Sequence, residues 1–233
     1  VSFVGRDAFF AGVGEYFVFP ALTNSGPCEI MVFEGIPGGP MDAWADVRTP
    51  AEHLARSLEI LRTFLPWEAE RCTQVELTDA NGILSGAFPP TVRRPVGRLP
   101  SGRAVMGMAD AVMLNDPITG QGSNNAAKFA DAVERAIVAH GDAPFDAAFM
   151  QATFEGFWER YGTHVCGWTN AMLAPPPPHV MQLLGTAAAV PAVARRIVNG
   201  FNDPTDFSRF FMSPDRSEAY LAEVAPAPQA EAA

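Results

Sequence analysis

Apolar residues come in short strand-like runs over the first third of the chain and recur at helical spacing over the second half. Val1–Ala11 (VSFVGRDAFFA) predicts a strand and turn, Gly12–Gly14 a turn, and Glu15–Pro20 (EYFVFP) a second strand. Asn24-Ser25-Gly26-Pro27 is turn chemistry, and Glu29–Glu34 (EIMVFE) follows as a third strand, so an antiparallel hairpin is expected. Alternation puts Phe17 and Phe19 on a shared face, and likewise Met31 and Phe33. Thr49-Pro50-Ala51-Glu52 combines a threonine cap, proline at the first helical position and a glutamate completing a capping box. Leu54, Leu58, Leu61 and Leu65 then form an apolar stripe that Pro66 stops, and Trp67–Cys72 adds a short helical turn. Gln74–Leu77 and Gly82–Phe88 predict two further strands, and residues 88–100 extended connectors.

Arg103–Met108 (RAVMGM) reads as a short buried strand. Ser123 is an expected N-cap for a helix with Ala126, Phe129, Ala130, Val133 and Ile137 inward and Lys128, Asp131, Glu134 and Arg135 outward. Pro144 fits the first turn of another helix bearing Phe145, Ala148, Phe149 and Ala152. Phe154, Phe157, Trp158 and Tyr161 continue it as an aromatic packing cluster. Beyond the Pro175–Pro178 spacer, short helices are expected over His179–Ala189, Pro191–Asn199, Pro204–Met212 and after Pro214, with a disordered APAPQAEAA tail. A β-rich front and a helical back give an α+β class, divided at 1–100, 101–141, 142–223 and 224–233.

The formal charge of −10 argues against nucleic-acid binding through a basic face. Fifteen arginines stand against a single lysine, Lys128, a bias expected of a GC-rich coding sequence. Cys28, Cys72 and Cys166 are odd in number and widely spaced, as for reduced thiols in the cytoplasm. His53, His140, His164 and His179 are scattered, so no metal site is expected. No apolar run is long enough to span a membrane and no signal peptide is evident. The chain begins with valine, as though in mid-sequence.

Candidate chemistry concentrates in GRAVMGMADAVMLNDPITGQGSN, from Gly102 onwards. A glycine-rich loop feeding a helix start presents backbone N–H groups and a positive dipole end, suited to an anionic or electron-rich ligand. An ordinary strand–turn–helix would need no particular spacing here, yet Asp110, Pro117, Gly120, Gln121, Gly122 and Asn124 stand as D-x6-P-x2-G-Q-G-x-N. This resembles the second FAD fingerprint of flavoprotein monooxygenases, with Ala109 replacing the usual glycine before the aspartate. The extra methyl is positioned to crowd the ribityl chain without removing the acid.

The likeness is wider than the loop. GVGEYFVFPALTNSGPCEIMVFEGIPGGPMD resembles the start of the substrate-binding domain of styrene and indole monooxygenases, the oxygenase components of two-component flavin systems. Asp116-Pro117, Asn124-Asn125 and the NDPTDFSRFF segment are similar to that family too. The resemblance implies the C-terminal part of a glutathione-reductase-like FAD fold behind a mixed or antiparallel substrate-binding sheet. The family's N-terminal Rossmann βαβ unit with its G-x-G-x-x-G is absent from this sequence, the Gly12–Gly14 pair being no such fingerprint. On the resemblance, residues 1–100 are the substrate-binding domain and 101–141 the FAD-contacting strand–loop–helix. Asp110 is the acid for the ribityl or pyrophosphate region, and Pro117, Gly120, Gln121, Gly122, Ser123 and Asn124 lie along the flavin ring.

The implied reaction is epoxidation of a styrene- or indole-like aromatic alkene with O2, through a hydroperoxide at flavin C4a, with reduced FAD supplied by a separate NADH-dependent reductase. The flavin carries the chemistry, so no catalytic side chain is named. Phe17, Phe19, Met31, Phe33 and Phe88 are candidates for the substrate wall, core packing being the alternative for each. A homodimer is implied by the family, and no residue demands it. Two other functions fit the residues: a single-component flavin aromatic hydroxylase, which shares the central motif, and a flavin-free substrate-binding or interaction module, which the missing G-x-G-x-x-G favours.

Overall fold

The computed structural model describes residues 6–10 and 13–224, in two compact units that divide between Phe88 and Pro89. The tail from Ala225 and most of the segment before Val13 lie outside the described residues, and with them the expected disordered end and part of the first strand and turn.

In the first unit, β1 (Arg6–Phe10), β2 (Gly14–Thr23) and β3 (Gly26–Gly35) form an antiparallel sheet in that order. The expected hairpin is present and longer than its apolar runs. Thr23 faces Gly26 across a two-residue turn, and the Thr23 hydroxyl donates to the Gly26 carbonyl at 2.9 Å. Pairing of Tyr16 with Phe33 and Val18 with Met31 puts these four side chains on one face, and pairing of Phe17 with Val32 and Phe19 with Ile30 puts those four on the other. The first face is covered by α1 (Pro50–Phe64). Its start is the expected capping box: the Thr49 hydroxyl accepts from the Glu52 N–H and the Glu52 carboxylate accepts from the Thr49 N–H. Leu61 and Leu65 are fully buried against Tyr16, with Leu58, Met31 and Phe33 around them. Pro66 ends α1 and opens the short α2 (Pro66–Ala69).

The two strands expected over Gln74–Leu77 and Gly82–Phe88 do not form; residues 73–88 are irregular. Asp79 instead accepts from the Asn81 N–H at 2.6 Å in a local turn, while Leu84 and Phe88 face solvent. Neither run alternates cleanly, and glycines and the Pro89-Pro90 pair interrupt the second, so a short apolar stretch found no partner edge.

The second unit opens with β4 (Thr91–Val92), β5 (Val96–Arg98), β6 (Ala104–Met106) and β7 (Met113–Leu114). They pair as two antiparallel ribbons, β4 with β7 and β5 with β6. The expected buried strand Arg103–Met108 is thus a three-residue ribbon edge, with Val105 41% exposed.

Helices follow: α3 (Gly122–His140), α4 (Ala147–Phe157), α5 (Thr163–Met172), α6 (Pro178–Ala187), α7 (Pro191–Gly200), α8 (Phe207–Phe210) and α9 (Pro214–Val224). Pro144 does not begin α4; Asp146 caps it, accepting from the Phe149 N–H at 2.9 Å. A π-helical segment, Trp158–Gly162, joins α4 to α5. Two aromatic cores result. Phe129, Phe154, Phe157, Tyr161 and Val165 surround Val112 and Met113, as the aromatic spacing implied. Trp168, Leu183, Val193, Phe207, Phe210 and Tyr220 form the other. The second is tight: a Cβ on Gly200 would lie 2.2 Å from the Phe207 ring. Arg196 lies over the Phe210 and Tyr220 rings and binds both Asp206 carboxylate oxygens, at 2.8 and 2.9 Å. The α+β class stands.

Candidate functional site

The D-x6-P-x2-G-Q-G-x-N stretch is built of turns rather than a strand end. Asp110 lies in a 3-10 turn, Ala109–Ala111, that packs against α3. Among the described residues Ala109 is the non-glycine with positive φ, at 49°, the position where the flavoprotein fingerprint carries glycine. The Asp110 carbonyl accepts from Arg93 at 3.1 Å, and its exposed carboxylate has no hydrogen bond among the described residues. Asp116 caps a second 3-10 turn, Pro117–Thr119, by accepting from the Ile118 N–H at 3.0 Å. Gly120 then reverses the chain at φ 60°, a left-handed conformation that favours glycine.

This geometry moves the helix start. α3 begins at Gly122 with Gln121 in the capping position and no side-chain cap, so Ser123 sits inside the first turn and is not the cap. Asp116 already serves the preceding turn, and the left-handed Gly120 turns the chain straight into the helix. A Cβ on Gly122 would meet nothing within 4 Å, so the helix presents open backbone there. Ser123 is exposed and Asn124 half-buried beside it. The inward face of α3 differs from expectation as well: Asn125 and Phe129 are fully buried, whereas Ala130 and Ile137 are exposed. Lys128 turns inward rather than outward, its ammonium over the Tyr161 ring at 4.2 Å and donating to the Asn202 carbonyl at 2.8 Å.

From below, the loop is held by polar side chains. Gln121, fully buried, donates through Nε2 to the Thr119 carbonyl at 3.2 Å and the Phe201 carbonyl at 3.0 Å, and its Oε1 receives a long 3.5 Å contact from the Tyr161 hydroxyl. Thr119 and Thr169 share a buried hydroxyl pair at 2.7 Å, and Cys166 donates to Asn115 Oδ1 at 3.2 Å. Burial, reinforced by Asp203, pushes the Tyr161 phenol up to about 12, and burial raises the Cys166 thiol to about 11, so both stay protonated at neutral pH. Burial pulls the Lys128 ammonium below its ordinary value while Asp203 opposes it. The Gln121 side chain is engaged inward and its carbonyl accepts from the Asn125 N–H at 2.8 Å, so the fully buried Gln121 supports the loop from within. Both side-chain atoms of Asn125 and the Asn115 Nδ2 are buried without a hydrogen-bond partner among the described residues. Buried polar atoms are rarely left so. The loop therefore holds more hydrogen-bonding capacity than it uses, together with open backbone at Gly122, and both features fit a flat, hydrogen-bonding cofactor such as flavin.

Asn115, Thr119 and Lys128 escape a reading by motif, and Asn125 entered it only as part of the family likeness, with no role of its own. Asn125 was accessible through its i+4 spacing from Gln121, and Lys128 as the one lysine among fifteen arginines, a feature the coding-bias explanation had absorbed.

The apolar candidates in the first unit separate by face. Met31 and Phe33 lie under α1 with Tyr16, whose ring is 5.0 Å from that of Phe33, and so belong to packing. Phe17 and Phe19 stack on the opposite face at 5.9 Å and 17°, half-buried, beside Val32 and a 41% exposed Ile30. Phe88 is half exposed in the irregular stretch. No cluster of three or more metal-ligating side chains occurs among the described residues, and no helix there is long and apolar enough to cross a membrane.

Residues 6–71 match the family model described as "Styrene monooxygenase A putative substrate binding domain". Over 230 residues, 94% of this chain, it is 28% identical to styrene monooxygenase StyA of Pseudomonas fluorescens. A StyA from another Pseudomonas sp is equally similar over the same span. The chain spans about half the length of the curated relatives it matches, 54% of each. The resemblance to the oxygenase component of styrene monooxygenase, read first from the motifs, is borne out by these matches.

Proposed function

We propose that this chain is the FAD-ring-binding and substrate-binding portion of a flavin-dependent monooxygenase that epoxidises a styrene- or indole-like aromatic alkene. A separate NADH-dependent reductase would supply the reduced FAD. The observation that carries the reading is the open backbone of Gly122 heading the nineteen-residue α3, two residues after the left-handed Gly120, in a chain of which 94% is similar to StyA. When bound, the flavin supplies oxygen activation. The chain's own part is to bind and orient.

Asp110, with its free carboxylate, would accept from hydroxyls of the ribityl region. The first-turn N–H groups of Gly122, Ser123 and Asn124 point from a helix N-terminus, where partial positive charge stabilises an anionic ring edge by about 0.3–1 kcal/mol, more when buried. The turn from Pro117 to Gly120, capped by Asp116 and ended by the left-handed Gly120, would bring the backbone close to the ligand. Phe17 and Phe19 offer an apolar, hydrogen-bond-free surface suited to an alkene, which needs no acid or base from the protein. Met31 and Phe33 support that surface from behind. A glutathione-reductase-like frame and a homodimer are part of the same proposal.

Anaerobic titration of the 233-residue chain with oxidised and reduced FAD tests it. Binding is expected, and Asp110→Ala should weaken it roughly tenfold or more, the usual effect of losing a hydrogen bond to a charged group. Unchanged affinity in that variant would sink the motif assignment. A second reading, a flavin-free substrate-binding module, is favoured by one observation: the family match at residues 6–71 ends within the first unit. On that reading styrene binds with the same affinity whether or not FAD is present.

A further inference from the structure

Beneath the loop a chain of polar contacts runs from α5 to the end of α7, and an aromatic contact closes it. Thr119 is held at its hydroxyl by Thr169 of α5, at 2.7 Å, and at its carbonyl by Gln121, at 3.2 Å. The same Gln121 amide also reaches the Phe201 carbonyl at 3.0 Å, and the Phe201 ring meets Trp168, the neighbour of Thr169, edge-on at 4.8 Å and 88°. Seven residues along from Gln121, two helical turns and so on the same side of α3, Lys128 donates to the Asn202 carbonyl at 2.8 Å. Two donors on one helix thus take the carbonyls of two consecutive residues just past the C-terminal end of α7. Helix ends leave carbonyls without intrahelical donors, and a cation is favoured there. The next residue, Asp203, accepts from the Thr205 N–H and hydroxyl at 3.2 and 2.7 Å, which fixes the turn from its other side.

We propose that Gln121 and Lys128 are positioning residues, which set the conformation of the Asp116–Gly122 loop from the C-terminal turn Phe201–Asp203. Their purpose, though not their geometry, rests on reading that loop as a flavin site. The choice of lysine is part of the case. Every other cationic position of this chain that is not histidine is arginine. At position 128 a compact ammonium serves one carbonyl while lying over the Tyr161 ring, whereas a planar guanidinium fork is shaped for paired acceptors. Gln121, the residue between the two glycines, then acts through the loop and not on the cofactor.

Lys128→Met keeps the aliphatic stem at a half-buried position and removes the donor, so the variant folds. Hydrogen exchange of the Ile118 and Gly120 amides, both bonded within the loop, reads the loop directly, and FAD titration reads its use. In Lys128→Met and in Gln121→Glu, which loses the Nε2 donors, these amides should exchange roughly tenfold faster and FAD should bind correspondingly more weakly. Lys128→Arg keeps the charge but not the compact single-carbonyl donor, so it should recover only part of both effects. Wild-type exchange at Ile118 and Gly120 in Lys128→Met would overturn the proposal. So would an acceleration spread evenly over α4 and α5, or unchanged FAD affinity in variants of a wild type that binds FAD. If the wild-type chain binds no FAD while the loop amides still respond, the clamp stands and it is the flavin reading that fails.

Discussion

The two units handle apolar and polar chemistry differently. In the first, one sheet has two distinct faces: Tyr16, Val18, Met31 and Phe33 pack under α1, while Phe17, Phe19, Ile30 and Val32 face away. Stability and the proposed substrate surface therefore sit on different side chains, a consequence of the two-residue strand period. In the second unit the residues that shape the candidate site also hold it together. Gln121 lies within the fingerprint and is fully buried in hydrogen bonds, and Thr119 and Asn115 are tied to α5. Binding should be removable without unfolding in the first unit and much less so in the second.

The largest test of that contrast is a pair of substitutions in the first unit. Leu61→Ala, beneath the sheet, should cost about 2–5 kcal/mol, as large-to-small changes in well-packed cores do. Phe19→Ala, on the opposite face, should cost about 1 kcal/mol, mainly its stacking on Phe17, and appear instead as weaker styrene binding. Denaturant melts and styrene titrations of both variants check this. Equal losses of stability would mean that both faces are core and that the sheet has no free binding side.

A glycine pair makes the same comparison inside the second unit. Gly120→Val places a β-branched residue at φ 60° and should cost about 1–3 kcal/mol, so any loss of FAD binding arrives together with loss of fold. Gly122→Ala adds a methyl into open space at a helical position and should leave the fold unchanged or raise stability by up to about 1 kcal/mol. If FAD binds over Gly122, that same methyl lowers affinity while the melt does not fall. The reverse pattern, a folded Gly120→Val and an unfolded Gly122→Ala, would break the assignment of roles within the loop.

What could be read in advance follows how local the determinants are. The capping box at Thr49–Glu52 and the Asn24-Ser25 hairpin turn were legible because a few adjacent residues specify them. The α3 start was missed by two residues, Gln121 and not Ser123 standing at the cap, because Asp116 and Gly120, upstream of it, decide where the helix begins. The strands expected at 74–77 and 82–88 failed because a strand needs a partner edge, which no short apolar run encodes. Ile137 reads as core by spacing yet lies 44% exposed, since tertiary packing and not periodicity chose Phe129 and Asn125 for the inside of α3. At the site, the fingerprint located the loop but said nothing of its support. The contacts of Gln121 and Lys128 to residues 201 and 202 span more than seventy positions in sequence.

The smallest expected effect concerns Ala109, where stability and ligand contact can still be separated within the second unit. At φ 49° an alanine carries a left-handed cost of about 1–2 kcal/mol that glycine avoids. Glycine gives back roughly 0.4–1 kcal/mol through the greater freedom of the unfolded chain. Ala109→Gly should therefore stabilise by about 0.5–1 kcal/mol, raising Tm by a few degrees in a chain of this size. Its backbone already adopts the conformation in which the fingerprint uses glycine, so Asp110 keeps its direction and FAD affinity should change by less than about twofold. A rise in affinity approaching tenfold, with Tm unchanged, would mean instead that the methyl itself presses on the ribityl chain, and that the departure from the fingerprint is felt by the ligand rather than by the fold.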